Sequence, residues 1–92
     1  MADAIARKVR VYGRVQGVFF RQAAVNQARA LGIDGWIRNA PDGSVEAHIQ
    51  GDSGAVEQLI AWMRQGPSQA RVEDVTVELA KREDVTGLVV RV

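Results

Sequence analysis

The spacing of apolar residues changes repeatedly along this 92-residue chain, and these changes constrain its fold more than any other feature. Val9 and Val11 alternate with polar residues, as on a half-buried strand. From Phe20 to Leu31, apolar residues recur every third or fourth position, as on one helix face. Two strand patterns, a second helical stripe and a further strand pattern follow. We therefore predict the order β-α-β-β-α-β, with a short additional strand at the C-terminus.

Residues that end helices or form tight turns separate these predicted elements. Gly32 and the pair Gly66-Pro67 follow the two helical stripes. Between the second and third strands, Asn39-Ala40-Pro41-Asp42-Gly43 is typical of a hairpin with a type I turn and a bulge. Two split β-α-β halves predict an α+β fold, the ferredoxin-like sandwich, in which an antiparallel sheet carries both helices on one face. We expect residues 1–92 to form a single domain.

The composition excludes several classes of function. A net charge of +1 argues against binding to nucleic acid or to an acidic membrane through bulk charge. The absence of cysteine excludes disulfides, iron–sulfur clusters and thiolate zinc sites. Neither a secretory signal within Met1–Arg7 nor a membrane-spanning apolar stretch is present, so we expect a cytoplasmic protein. His48 is the sole histidine, and we expect it, like most carboxylates, on a solvated outer face. Strand alternation also places Arg38 as a surface cation.

A glycine-containing turn between the first strand and the first helix is the main candidate for chemistry. Gly13 and Gly17 bracket this turn, and Arg21 follows at the helix start. Backbone amides at a helix N-terminus are unpaired and attract anions. The spacing alone leaves two interpretations open: a phosphate-binding loop, or a tight turn with Arg21 as a surface cation. A cation in the first helical turn opposes the helix dipole, which favours a bound anion.

The residues Gly13-Arg14-Val15-Gln16-Gly17-Val18-Phe19-Phe20-Arg21 resemble the first signature motif of the acylphosphatase family. Gly35-Trp36-Ile37-Arg38-Asn39, followed by Asp42-Gly43-Ser44-Val45, resembles the second. The resemblance implies that Arg21 binds a phosphoryl group and that Asn39 orients the attacking water. It implies no metal and no organic cofactor. The loop that it implies for the phosphate comprises Val15, Gln16, Gly17, Val18, Phe19 and Phe20.

Hydrolysis of an acyl phosphate requires few catalytic groups. The leaving carboxylate, with a conjugate-acid pKa near about 4, departs without a general acid. We hypothesise that a substrate phosphate oxygen takes the proton from water. In this family threonine commonly follows the asparagine, whereas this chain has Ala40 and so lacks a hydroxyl that could support the site. We expect a free-standing monomer that acts on a small-molecule acyl phosphate. The alternative is a non-catalytic ferredoxin-like module that binds anions or a protein partner.

Overall fold

The structure, a computed structural model, describes residues 3–92 and contains every predicted element in the predicted order. Met1 and Ala2, which the single-domain prediction includes, lie outside the described residues. The α+β fold class is confirmed. The elements are β1 (Ala4–Arg14), α1 (Phe20–Leu31), β2 (Asp34–Asn39), β3 (Val45–Asp52), α2 (Ser53–Gln65), β4 (Arg71–Leu79) and β5 (Leu88–Val90).

The five strands form one sheet in the order β4-β1-β3-β2-β5. The central strand β3 runs antiparallel to both β1 and β2, and β4 runs antiparallel to β1. The sheet is mixed, whereas the prediction was an antiparallel one, because β5 pairs in parallel with β2. The reason is topological. Strand β4 finishes at the same end of the sheet at which β2 begins. The chain that crosses the sheet from there therefore enters β5 running in the same direction as β2.

The core lies between one face of the sheet and the two helices. α1 packs against β2 and β5, and α2 packs against β1, β3 and β4. The helices meet through Phe20 and Trp62, whose ring centroids lie 5.4 Å apart. Within the described part of the chain, no helix has the length and apolarity that a membrane crossing needs. The largest fully buried apolar side chains are those of Phe20, Ile37, Ile49, Leu59 and Met63.

The sheet face opposite the helices is less solvated than the sequence predicts. The side chains of Glu46 and His48 point to this face, but both residues are buried. Because β3 pairs with a strand on each side, these neighbouring strands cover the flanks of both side chains. The chain after β4 also crosses here, and Gln50 Nε2 donates to the carbonyl of Glu83 at 2.8 Å. Arg38, which alternation alone placed as a surface cation, is half-buried and donates to Glu46 Oε1 at 2.8 Å.

Glu46 is the centre of a charge cluster on this face. Its carboxylate accepts hydrogen bonds from Arg38 and from Arg10, the latter at 2.6 Å. Burial raises the pKa of Glu46, but the Arg38 hydrogen bond and the charges of Arg10 and Lys8 lower it by more. The pKa therefore lies below its ordinary value of 4.5. The carboxylate is therefore ionised in the folded protein at neutral pH and forms ion pairs with its cationic partners.

Candidate active site

The loop between β1 and α1 has the backbone conformation of an anion-binding concavity. Gly17 and Phe19 both adopt left-handed conformations, with φ of 73° and 65°, and Val18 between them does not. Such alternation turns successive N–H groups toward one side of the chain and forms a nest for an anion. Among residues 3–92, Phe19 is the one non-glycine residue with a positive φ. This conformation is strained for a residue with a side chain, and strain of this kind concentrates at functional sites.

The amides of this loop and of the first turn of α1 have no protein partner. Within residues 3–92, no carbonyl or side chain accepts a hydrogen bond from the amides of residues 16–22. The intrahelical ladder starts only with Ala23, whose amide donates to the Phe19 carbonyl at 3.0 Å. Phe19 is the N-cap and provides no side-chain cap, and the first turn has no acidic residue. The unpaired amides and the helix dipole together favour an anion at this position.

A cavity of about 330 Å³ opens beside these amides. Arg21, at the second position of α1, is half-buried against it. No carboxylate of residues 3–92 lies within ion-pairing distance of Arg21, so its guanidinium is free for an external anion. A planar guanidinium suits the oxygens of a phosphate. The cavity is lined by Val15, Gly17, Phe19, Phe20, Arg21, Gln22 and Val90.

Two members of the predicted loop direct their side chains elsewhere. The Val18 side chain is buried in the core. Gln16 turns toward the β2–β3 hairpin, where its Nε2 donates to the carbonyls of Ala40 and Ser44, both at 2.9 Å. The predicted tight turn is present there, with the Gly43 amide donating to the Ala40 carbonyl at 3.1 Å. Gln16 therefore ties the loop to the turn that follows Asn39.

Asn39, the last residue of β2, lies at the same end of the sheet as the loop between β1 and α1. Strands β1 and β2 run in the same direction because each is antiparallel to β3. Val45 of β3 pairs with Val11 on one side and with Asn39 on the other. By strand alternation, Asn39 shares the helix-facing side with the fully buried Ile37. The two sequence motifs are thus brought to one end of the sandwich.

The side-chain oxygen of Asn39 is buried and unpaired. Among the residues described, nothing donates a hydrogen bond to Asn39 Oδ1, which has almost no accessible surface. A buried carbonyl-type oxygen without a donor costs free energy, about 1–3 kcal/mol, unless a bound molecule provides one. Water is the simplest such donor. Asn39 does not line the cavity beside Arg21, but its oxygen is able to accept a hydrogen bond from water.

Sequence reasoning missed Val90 and Gln22 as lining residues of the cavity. Gln22 immediately follows Arg21, so its place in the first helical turn was a usable signal. Val90 reaches the site because it pairs with Ile37 in the parallel β2–β5 ladder, which no local pattern encodes. Within residues 3–92, no group of three or more histidine and carboxylate side chains is positioned to bind a metal ion.

Comparison with known proteins identifies the family of the chain. The profile of the family described as Acylphosphatase matches residues 7–88. The chain belongs to the acylphosphatase family. An acylphosphatase from Rubrobacter xylanophilus is 55% identical over 74 residues, which cover 78% of this chain and 67% of that protein. One from Thermococcus kodakarensis is 53% identical over 86% of this chain and 87% of its own.

A solved acylphosphatase structure shows the same fold. The protein from Coxiella burnetii superposes with a TM-score of 0.92 at 36% identity, covering 97% of this chain and 94% of its own. The resemblance inferred from the two motifs is therefore confirmed, as is the prediction of an acylphosphatase-family enzyme. The family and these relatives support hydrolysis of acyl phosphates as the general reaction.

Proposed function

We propose that this acylphosphatase-family chain cleaves acyl phosphates at the cavity beside α1. The phosphoryl group binds main-chain amides of the loop from Val15 to Phe20 and the guanidinium of Arg21, and Asn39 Oδ1 accepts a hydrogen bond from the attacking water. One observation carries the proposal: the amides of residues 16–22 have no acceptor within residues 3–92, and five of these seven residues line a cavity that contains the unpaired Arg21. The buried, unpaired Asn39 oxygen supports the position of the water.

The reaction balances without another reactant. The water oxygen forms a bond to phosphorus as the bond from phosphorus to the acyl oxygen breaks, and the electron pair of that bond leaves with the carboxylate. One proton of the water passes to a phosphoryl oxygen, so the products are a carboxylate and inorganic phosphate. Fixed amides and a guanidinium stabilise charge on the equatorial oxygens of the loose transition state. Orientation by Asn39 removes the entropic cost of placing the water.

The remaining features of the proposal extend the sequence expectations. We propose that a single domain of residues 1–92 performs the reaction as a monomer in the cytoplasm, without a metal ion or an organic cofactor. The substrate is a small molecule, and nucleic acid and membranes take no part. The cysteine-free composition and near-neutral net charge support these statements.

Phosphate release from benzoyl phosphate in the presence of EDTA tests the proposal. We expect kcat/KM to fall by about 10²–10³ in Arg21→Ala, because one charge-stabilising donor is lost. For Asn39→Ala we expect a roughly hundredfold fall, mainly in kcat. Both variants should remain folded by circular dichroism.

Matched controls come from the exposed surface of α1. Arg29→Ala and Asn26→Ala remove one arginine and one asparagine from this surface, and both should retain wild-type kcat/KM. The proposal is wrong if Arg21→Ala hydrolyses benzoyl phosphate as fast as Arg29→Ala. Loss of wild-type activity in EDTA would contradict the metal-free part of it.

A further inference from the structure

Phe19 combines two features that folding does not explain. Its side chain is 74% exposed, and its backbone is held at a positive φ of 65°. Left-handed backbone costs roughly 1–2 kcal/mol for a residue with a Cβ, and an exposed phenyl ring recovers little of this through packing. Glycine would adopt the same conformation without the strain. A large aromatic ring at this position therefore points to a role at the site that it lines.

The cavity is also larger than a phosphoryl group requires. Four non-hydrogen atoms, at the roughly 30 Å³ that one water molecule takes up, fill no more than about 120 Å³. The cavity measures about 330 Å³, so more than half remains for another part of the ligand. Arg21 and the loop amides supply the polar wall. Much of the remaining wall is apolar and comes from Val15, Phe19, Phe20 and Val90.

The position of Asn39 indicates where that other part lies. Under the proposed function the buried Asn39 oxygen holds the attacking water, which puts this water on the inner side of the phosphoryl group. In-line displacement places the leaving carboxylate on the opposite, outer side. Phe19 and Val90 are the exposed apolar residues of the cavity wall, with Val90 46% exposed. An acyl group leaving outward therefore meets this exposed apolar part of the wall.

We infer that Phe19 and Val90 form an acyl-group subsite, which selects acyl phosphates with apolar, ring-sized acyl groups over acetyl phosphate. The inference rests on the proposed function, since it concerns the leaving half of the same substrate. Contact of an aryl acyl group with the Phe19 ring removes apolar surface from water on both partners. An acetyl group offers only one methyl group to these side chains.

The test compares KM for benzoyl phosphate and acetyl phosphate in matched variants. Phe19→Gly removes the ring while relieving the backbone strain, so the loop retains its conformation. Val90→Ser removes the second apolar wall. Val89→Ser is its control, because Val89 is equally exposed at 44% but points to the opposite sheet face and does not line the cavity.

We expect KM for benzoyl phosphate to rise about three- to tenfold in Phe19→Gly, as the loss of one aromatic contact predicts. Val90→Ser should raise it about threefold. Acetyl phosphate lacks the ring that the subsite binds, so the ratio of KM for benzoyl phosphate to KM for acetyl phosphate should rise by the same factors in the two variants, and Val89→Ser should match wild type with both substrates.

Each other result counts against the inference. Equal changes in KM for both substrates, or equal effects of Val89→Ser and Val90→Ser, overturn the acyl subsite while leaving the proposed function intact. If the wild-type protein hydrolyses neither substrate, the proposed function fails and the subsite fails with it. Phe19→Leu, which retains an apolar side chain, should recover part of the benzoyl phosphate affinity lost in Phe19→Gly.

Discussion

Gln16 is the side chain that connects the phosphate loop to the turn after Asn39, and its removal gives a sharp test of how the site is assembled. Its Nε2 donates two hydrogen bonds of 2.9 Å, to the carbonyls of Ala40 and Ser44. Gln16→Ala deletes both donors and the apolar part of the side chain. Gln16→Glu retains the shape but directs a carboxylate oxygen at two carbonyl oxygens.

The expected loss of stability follows from these contacts. A protein hydrogen bond contributes about 1 kcal/mol net, which sets an upper figure of about 2 kcal/mol for the pair. Both carbonyls also accept backbone hydrogen bonds within the turn, from Gly43 and from Ala40, so neither is orphaned in Gln16→Ala. We therefore expect a loss of about 1–2 kcal/mol. For a domain of this size that lowers Tm by about 5–15 °C.

Activity should fall by more than stability alone explains. The two hydrogen bonds tie the loop to the turn that directly follows Asn39, and a displacement of about 1 Å between reacting groups costs about 10²-fold. We expect kcat/KM for benzoyl phosphate to fall at least tenfold in Gln16→Ala, measured well below its Tm. Gln16→Glu should be less stable than Gln16→Ala, because its carboxylate repels the carbonyl oxygens.

Gln27→Ala on the exposed face of α1 is the matched control, with both Tm and kcat/KM expected near wild type. If Gln16→Ala has the same Tm and kcat/KM as this control, the loop is positioned by something other than the Gln16 link, and the reasoning fails.

Three further predictions concern the charge cluster, the strand spacing and the leaving group. Because the folded pKa of Glu46 is lowered, its contribution to stability is present above about pH 4.5 and is lost as the pH falls through the folded pKa. Glu46→Gln should therefore lower the free energy of unfolding by about 2 kcal/mol at pH 7. In urea titrations below pH 4, this difference in free energy between wild type and variant should become smaller. The exposed control Glu57→Gln should show no such difference. Gly35→Ala places a Cβ 1.8 Å from the His48 carbonyl oxygen and should cost at least about 3 kcal/mol, whereas Gly32→Ala, in open space, should cost about 1 kcal/mol. Alkyl phosphates, whose alkoxide leaving groups need a general acid, should react orders of magnitude more slowly than acyl phosphates; comparable rates would refute the proposed chemistry.

The order of the elements was predictable because each apolar pattern is local. The helix from Phe20 to Leu31 and the turn ending at Gly43 both lie where spacing and turn chemistry place them. The loop and Arg21 were predictable as one site because these residues are adjacent in sequence. The proximity of Asn39 to that loop required the resemblance to a family, because 17 positions separate Asn39 from Arg21.

Features that depend on distant pairing were not predictable from local patterns. The parallel β5 and the position of Val90 depend on which edge of the sheet the last segment reaches. The burial of Glu46 depends on the central position of β3, since alternation assigns a face but not what covers it. Arg38 was for the same reason expected at the surface rather than in an ion pair with Glu46.

The sheet order explains why the site needs β3 although no β3 side chain lines the cavity. β1 carries the loop and β2 carries Asn39, and these two strands are not neighbours; they keep a constant separation only because β3 pairs with both. Two strand spacings of about 4.8 Å set the gap across which loop and asparagine face one substrate. Substitutions that loosen β3, such as Gly35→Ala at its contact with β2, should therefore reduce activity together with stability. Glu46→Gln leaves the strand pairing intact and faces away from the cavity, so it should reduce stability with kcat/KM unchanged at pH 7. A Glu46→Gln variant that is folded but inactive would show that the cluster on the open face positions the site directly.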